Sequence, residues 1–329
     1  MLAISKSDLQ QLISMEQCIE LVKQAFVELY QGRAEVPLRI GLDVDPGKDV
    51  TLLMPAYMSG LDALGFKVVS VFQRNSAAGI PVTNAAVMMV DSQTGIPAAI
   101  INGAYLTQLR TGAVSGASAQ LMSREDSKNL VVIGGGAQGV TQAAGIAAAR
   151  PIEKITVVDP FETSYPRFRA AIEQDWPHLA DKLEFTADAE SPVREADIIC
   201  LSTTSRKPVF DASWVKPGTH VSGVGAFTPE MQETPPQYVA QARIVVDMKE
   251  HALAEAGDLI IPLQDGTITE DNIVGELGGL VLGEFPGRTS ATELTFFKSV
   301  GNAVQDMAVG GYALRAARER GIGQEIDLG

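Results

Sequence analysis

The stretch "NLVVIGGGAQGV", residues 129–140, constrains this chain more than any other. An apolar run, Leu130–Ile133, enters a turn spaced Gly134-x-Gly136-x-x-Gly139, and an Ala-rich helical segment leaves it. Each glycine answers a separate need: Gly134 allows a tight turn, Gly136 lets backbone approach a pyrophosphate, and Gly139 lets the helix lie close to the strand. The start of that helix offers unpaired N–H groups and a partial positive charge to phosphates. Alone the spacing is a weak signal, since a purely structural strand–turn–helix can carry it. The next apolar run, "KITVVDP", ends in Asp159, twenty residues beyond Gly139, where a dinucleotide fold places the acid that accepts from ribose hydroxyls. A carboxylate there repels a 2′-phosphate, so NAD is expected ahead of NADP, with NADP still possible.

From Lys128 onward, strand-like and helix-like segments alternate: "NLVVIGG", a helix at 138–149, "KITVVDP", a helix at 163–175, "LEFTAD", a helix at 191–195, "ADIICLST", "GTHVSGVG", a helix after Pro235, and "ARIVVDM". This alternation predicts a Rossmann-type, doubly wound parallel sheet, an α/β fold. Upstream the texture differs. Helical spacing of Leu9, Leu12, Ile13, Ile19, Val22, Phe26 and Leu29 predicts one helix, capped at Ser7 or Asp8 and stopped at Gly32. Short strands follow between about 37 and 101, with a hairpin at "DSQTG" that needs Gly95 at positive φ. A small-residue helix, Gly103–Met122, is suited to close packing, and "TELTFFKSVGNAVQDMAVGGYALRAARERG" reads as one long helix. The resulting division is an α+β mixed-sheet domain at 1–120, a nucleotide domain at 121–300, and a final helix, 301–329, that rejoins the first.

A formal charge of −14 argues against nucleic acid, and no stretch reaches the ~20 apolar residues of a membrane helix. The region 2–30 has no cleavable signal pattern, and Cys18 and Cys200 form no disulfide framework, which points to reduced thiols in a cytoplasm. His178, His220 and His251 follow no ligand spacing, so no metal is expected. Each reads as a surface or packing residue, and His220, in "GTHVSGVG", is the one placed close to the expected cofactor.

Against the acidic background, Arg39 in "VPLRIGL", Lys67 in "LGFKVVSV" and Arg110 in "LTQLRTGAVS" stand out within apolar segments, with Arg74 a less constrained fourth. Strand alternation sets Lys67 opposite Phe66 and Val68, so it either reaches solvent along its stem or points into a cleft. At these residues the chain resembles the ornithine cyclodeaminase/μ-crystallin family. "DSQTGIPAAIINGAYLT", "LRTGAVSGASAQLM", "VVIGGGAQG", "GTHVSGVGAFTPEMQE", "VVDMKE" and "TELTFFKSVGNAVQD" occur in the family's order over nearly the whole chain. The resemblance implies a homodimer whose N-terminal sheet builds both the subunit interface and the substrate site, facing the nucleotide domain across a cleft. It also implies that Arg39 and Arg110 hold a substrate α-carboxylate and that Lys67 reaches the carboxylate and transfers a proton. Thr111, Ala137, Gln138, Asp159, Thr203, Val224 and Gly225 match positions lining the cofactor. Lys298 lies in a family motif without an assigned role.

One departure bears on the reaction. Cyclodeaminases of the family resemble one another in an aspartate just after the "VG" turn, and here that position is Phe227, preceded by Ala226. A phenyl ring cannot accept from an ammonium, and Glu230 and Glu233 are expected in the following loop. The reading is therefore NAD(P)H-dependent reduction of a cyclic 2-imino acid, Δ1-pyrroline-2-carboxylate to L-proline or its piperideine homologue. The alternatives are an alanine dehydrogenase-like enzyme, an ornithine cyclodeaminase, and a non-catalytic binding protein.

Overall fold

The computed structural model describes residues 1–45 and 48–327. The chain forms two compact units, one of Met1–Arg110 together with the segment from Asn302 onward, the other of Thr111–Gly301.

In the first unit the amphipathic N-terminal run is two helices, α1 (Lys6–Leu12) and α2 (Met15–Tyr30). The single helix expected there is broken because Ile13 is extended and Ser14 restarts the chain with a capping box: its hydroxyl accepts from Gln17 N at 3.2 Å and Gln17 Oε1 accepts from Ser14 N at 3.0 Å. Ser5, rather than Ser7 or Asp8, caps α1. The strands are β1 (Leu2–Ile4), β2 (Ala34–Glu35), β3 (Ile40–Asp45), β4 (Asp49–Met58), β5 (Ala63–Phe72), β6 (Thr83–Val90) and β7 (Pro97–Asn102). Their order is β1-β7-β6-β5-β4-β2, with β3 also on β4 and a short strand, Gln324–Glu325, beyond β1. Only β1 and β7 run parallel, so the sheet is mixed. Gly95 turns the β6–β7 hairpin at φ +73°. The C-terminal helix, Ala303–Arg320, packs on β4, β5 and α2. On β5 the alternation Ala63, Gly65, Lys67, Val69 is buried on the helix-covered side.

In the second unit, β8 (Asn129–Ile133), β9 (Lys154–Val158), β10 (Leu183–Thr186), β11 (Ile198–Leu201), β12 (His220–Gly223), β13 (Arg243–Val246), β14 (Ile273–Glu276) and β15 (Thr295–Lys298) are all parallel. Their order, β10-β9-β8-β11-β12-β15-β13-β14, reverses at β8, which defines the ligand crevice of an open α/β sheet at the strands' carboxyl ends. Strand β15 corrects the reading of 292–321 as one helix. Thr295, Phe296, Phe297 and Lys298 are fully buried because a central parallel strand is covered on both faces, which hides the period of two. Gly301 at φ +79° then turns the chain, and Asn302 caps the following helix.

Helix α3 (Gly103–Met122) precedes β8, and α4 (Ala137–Ala149) follows it. The small residues of α3 do permit close packing: a Cβ on Gly112 would lie 2.2 Å from Thr141 O, and one on Gly145 2.0 Å from Gly112 O. Past the end of α3, Arg150 donates to Gln120 O at 2.7 Å and Ser123 O at 3.2 Å, and Arg288 to Met122 O at 3.0 Å. Two guanidiniums thus satisfy the carbonyls that a helix end leaves open.

Candidate active site

The glycine turn sits where β8 ends. Gly134 adopts φ +109°, and a Cβ there would meet Ser202 O at 2.7 Å. On Gly139 a Cβ would lie 2.2 Å from Gly134 O, so the turn and helix close only around hydrogen. Gly136, the N-cap of α4, faces open space instead. Ala137 and Gln138 form the first helical turn. Asp159, at the end of β9, accepts from Gly135 N at 2.7 Å and Phe161 N at 2.8 Å, which uses one lone pair on each oxygen and leaves others for hydroxyl donors. Gln138 Oε1 and Ser164 Oγ are buried beside this turn with no hydrogen-bond partner among the described residues. Thr203, Val224 and Gly225 follow the carboxyl ends of β11 and β12, and Thr111 is buried on α3 next to the glycine crossing with α4. A helix N-terminus, a close-approach glycine, an acid and two unsatisfied polar atoms form an arrangement that can accept a dinucleotide.

The cations gather in the first unit. Lys67 is 1% exposed and donates to Asp306 Oδ2 at 2.6 Å, while Arg110 Nε donates to Asp306 Oδ1 at 3.1 Å. Arg110 Nη1 also donates to Gln305 Oε1 at 3.0 Å. Two cations thus share one fully buried carboxylate, and the cluster keeps an excess positive charge. Burial foremost, then the Arg110 charge, pushes Lys67 down to about 7; Asp306 opposes them, and Arg39 adds a smaller downward push. Arg39 is half-buried. Arg74 is not part of this group: its side chain is 61% exposed and pairs with Asp49 at 3.0 Å.

Known proteins share this architecture. The family model described as "Ornithine cyclodeaminase/mu-crystallin family" matches residues 2–320. The chain belongs to the ornithine cyclodeaminase/mu-crystallin family. A Δ1-pyrroline-2-carboxylate reductase of Bacillus cereus (strain ATCC 10987 / NRS 248) is 39% identical over all of both chains. The structure of the Thermococcus litoralis Δ1-pyrroline-2-carboxylate reductase, in complex with NADH and L-proline, superposes with a TM-score of 0.94 at 37% identity, covering 99% of this chain and 100% of that one. An archaeal alanine dehydrogenase dimer with bound NAD reaches a TM-score of 0.90 at 30% identity, covering 100% and 99%.

Several residues of this family member take places that the sequence did not assign. Asp306 is the partner of both site cations. Lys298 pairs with Asp258 at 3.0 Å, both side chains fully buried, which gives it a structural partner. Glu230 and Glu233 both lie in the loop after β12, as expected, but Glu233 is 0% exposed, whereas Glu230 is exposed and Phe227 packs half-buried against the core of its unit. His220 is a packing residue: its ring meets Thr295 Oγ1 at 2.9 Å and Ser118 Oγ at 3.3 Å, and burial, with Arg288 and Arg150 nearby, pushes it down to about 3, so it is neutral.

Proposed function

We propose that this chain reduces a cyclic 2-imino acid, Δ1-pyrroline-2-carboxylate to L-proline, with NADH as the favoured reductant. The observation that carries the reading is a buried lysine and a buried arginine, Lys67 and Arg110, that share the single carboxylate of Asp306. A bound reduced dinucleotide supplies a hydride to the C=N carbon. Arg110, oriented by Asp306 and Gln305, and Arg39 hold the substrate carboxylate as guanidinium pairs. Lys67 donates its proton to the ring nitrogen, which becomes the secondary amine of proline. A group with a pKa near the working pH is suited to giving and regaining a proton. Gly134, Gly136, Ala137, Gln138, Gly139, Asp159, Thr203, Val224, Gly225 and Thr111 are the residues assigned to the cofactor. The two reductase relatives support this choice of substrate, and Phe227, in place of an acid, speaks against handling a second amine.

Subunit pairing belongs to the same reading. Leu42, Val44 and Ile40, on β3, are 65%, 54% and 55% exposed, an apolar edge suited to a second copy, and a dimeric relative supports a homodimer. Among the described residues no helix is long and apolar enough to cross a membrane, and the buried free thiols Cys18 and Cys200 fit a cytoplasmic location.

The test is oxidation of NADH with Δ1-pyrroline-2-carboxylate, with pyruvate plus ammonia, and in a parallel assay NAD+-dependent turnover of ornithine. Turnover of the cyclic imine alone is expected; proline formed from ornithine without it overturns the reading. Replacing Asp159 with Ser is expected to weaken NADH binding about tenfold, the loss of one charge-assisted hydrogen bond, and to improve NADPH relative to NADH. Fluorescence titration with both cofactors reads the two effects.

A further inference from the structure

The carboxylate of Glu233 joins two separate loops. Its Oε1 accepts from Thr203 N at 2.6 Å, beyond β11, and its Oε2 accepts from Ala226 N at 2.8 Å, beyond β12. The fit is close enough to exclude a side chain at Gly225, whose Cβ would lie 2.4 Å from both Glu233 Oε1 and Thr203 O. A second carboxylate fixes Glu233 in turn. Asp258, in the first turn of the helix Gly257–Gln264, accepts from Glu233 N at 2.7 Å and Thr234 N at 2.8 Å, and its other oxygen accepts from Lys298 on β15. Neither carboxylate binding nor proton transfer to the imine uses this chain of contacts, yet its three charged side chains, Glu233, Asp258 and Lys298, are fully buried and it bridges three strand ends.

Its position follows from the strand order. Asp159 lies at the end of β9, on one side of the glycine turn, so an adenosine ribose held there directs the other half of the dinucleotide over β11 and β12. Thr203 and Gly225 are the residues at those two ends. We propose that Glu233 is a positioning residue for the dinucleotide, clasping the Thr203 and Gly225–Ala226 loops into the shape that receives its nicotinamide half. The inference rests on the NADH reading above.

The clasp depends on protonation. Both oxygens accept, and a protonated carboxyl turns one of them into a donor facing an N–H. Burial, with Asp258 as a neighbouring anion, pushes Glu233 up to about 7; Lys298 opposes them, and the buried Cys200 thiol on β11 stays neutral. The clasp is therefore strongest above pH 7 and weakens as pH falls.

The experiment is NADH binding by fluorescence between pH 5.5 and 8.5 in the wild type, Glu233→Gln and Glu233→Asp, with thermal melting of each. Wild-type affinity is expected to fall as pH drops through about 7. Glu233→Gln presents an amide donor to one backbone N–H, and is expected to bind about ten- to a hundredfold more weakly with a flat pH profile. Glu233→Asp keeps the charge on a shorter stem, and is expected to restore pH dependence with intermediate affinity. Glu233→Gln binding as tightly as wild type with the same pH profile overturns the assignment; should that variant not fold, Glu233→Asp with wild-type affinity and no pH dependence overturns it equally. A wild type that binds neither NADH nor NADPH overturns instead the functional reading beneath it.

Discussion

Replacing Lys67 with Met is expected to lower kcat for imine reduction by about 10²–10⁴-fold, the range for losing a positioned general acid, with NADH affinity unchanged. Methionine keeps most of the lysine's length without its charge. The fold should tolerate the change for an electrostatic reason. Lys67 and Arg110 share the single anion Asp306, so removing one cation leaves the balanced Arg110–Asp306 pair at 3.1 Å. The pH profile separates proton transfer from packing. In the wild type Lys67 must be protonated to act as the acid, so reduction falls as pH rises through about 7, while proline oxidation, which needs the neutral amine as base, rises. Lys67→Met should lose that limb in both directions. An unchanged kcat with the same limb would remove Lys67 from proton transfer. The Glu233 clasp acts in the opposite sense, through cofactor affinity at low pH, so measuring kcat at saturating NADH isolates the lysine.

How far the sequence discloses this arrangement differs between residues. The glycine turn and α3 are legible almost to the residue, because local constraints act there: a positive φ at Gly134, close approach at Gly139 and Gly112. Period-two alternation also offers the inward orientation of Lys67 as one of two choices. Asp306 escapes notice, since an acid within a helical segment is ordinarily a solvated one and nothing in the neighbouring residues identifies its partner. Asp258 is concealed in the same way at the start of its helix. The signal that could have found them is a charge inside a run of small and apolar residues, "AVQDMAVGG" and "EAGDLIIPL", because a buried charge requires a partner. Lys298 in "TFFKSV" carries the same signal, obscured by reading a fully buried strand as the start of a helix. Partners separated by tens to hundreds of positions leave no periodic trace, so the cations are visible and the acids that orient them are not.

Asp306→Asn should produce the largest loss of stability among single substitutions in the site, about 3–5 kcal/mol, because it leaves buried cations without their anion. The asparagine oxygen still accepts one hydrogen bond but supplies no charge to offset Lys67 and Arg110. Lys67 then titrates lower than in the wild type, since the group that opposed its desolvation is gone. The first pH unit of that fall makes Lys67 about fivefold less protonated at pH 7, and imine reduction drops in proportion. Acidification to pH 5.5–6 is expected to recover part of kcat, which a merely misfolded site would not do. For stability the sign runs the other way. A lysine whose folded pKa lies below its unfolded value penalises the native state at low pH, and the penalty disappears as pH rises toward the unfolded value. Denaturant unfolding should therefore show the gap between Asp306→Asn and wild type widening as pH falls from 7 to 5. A variant with wild-type stability at pH 5.5 and an unmoved kcat profile would mean that Asp306 neither anchors the two cations nor sets the protonation of Lys67.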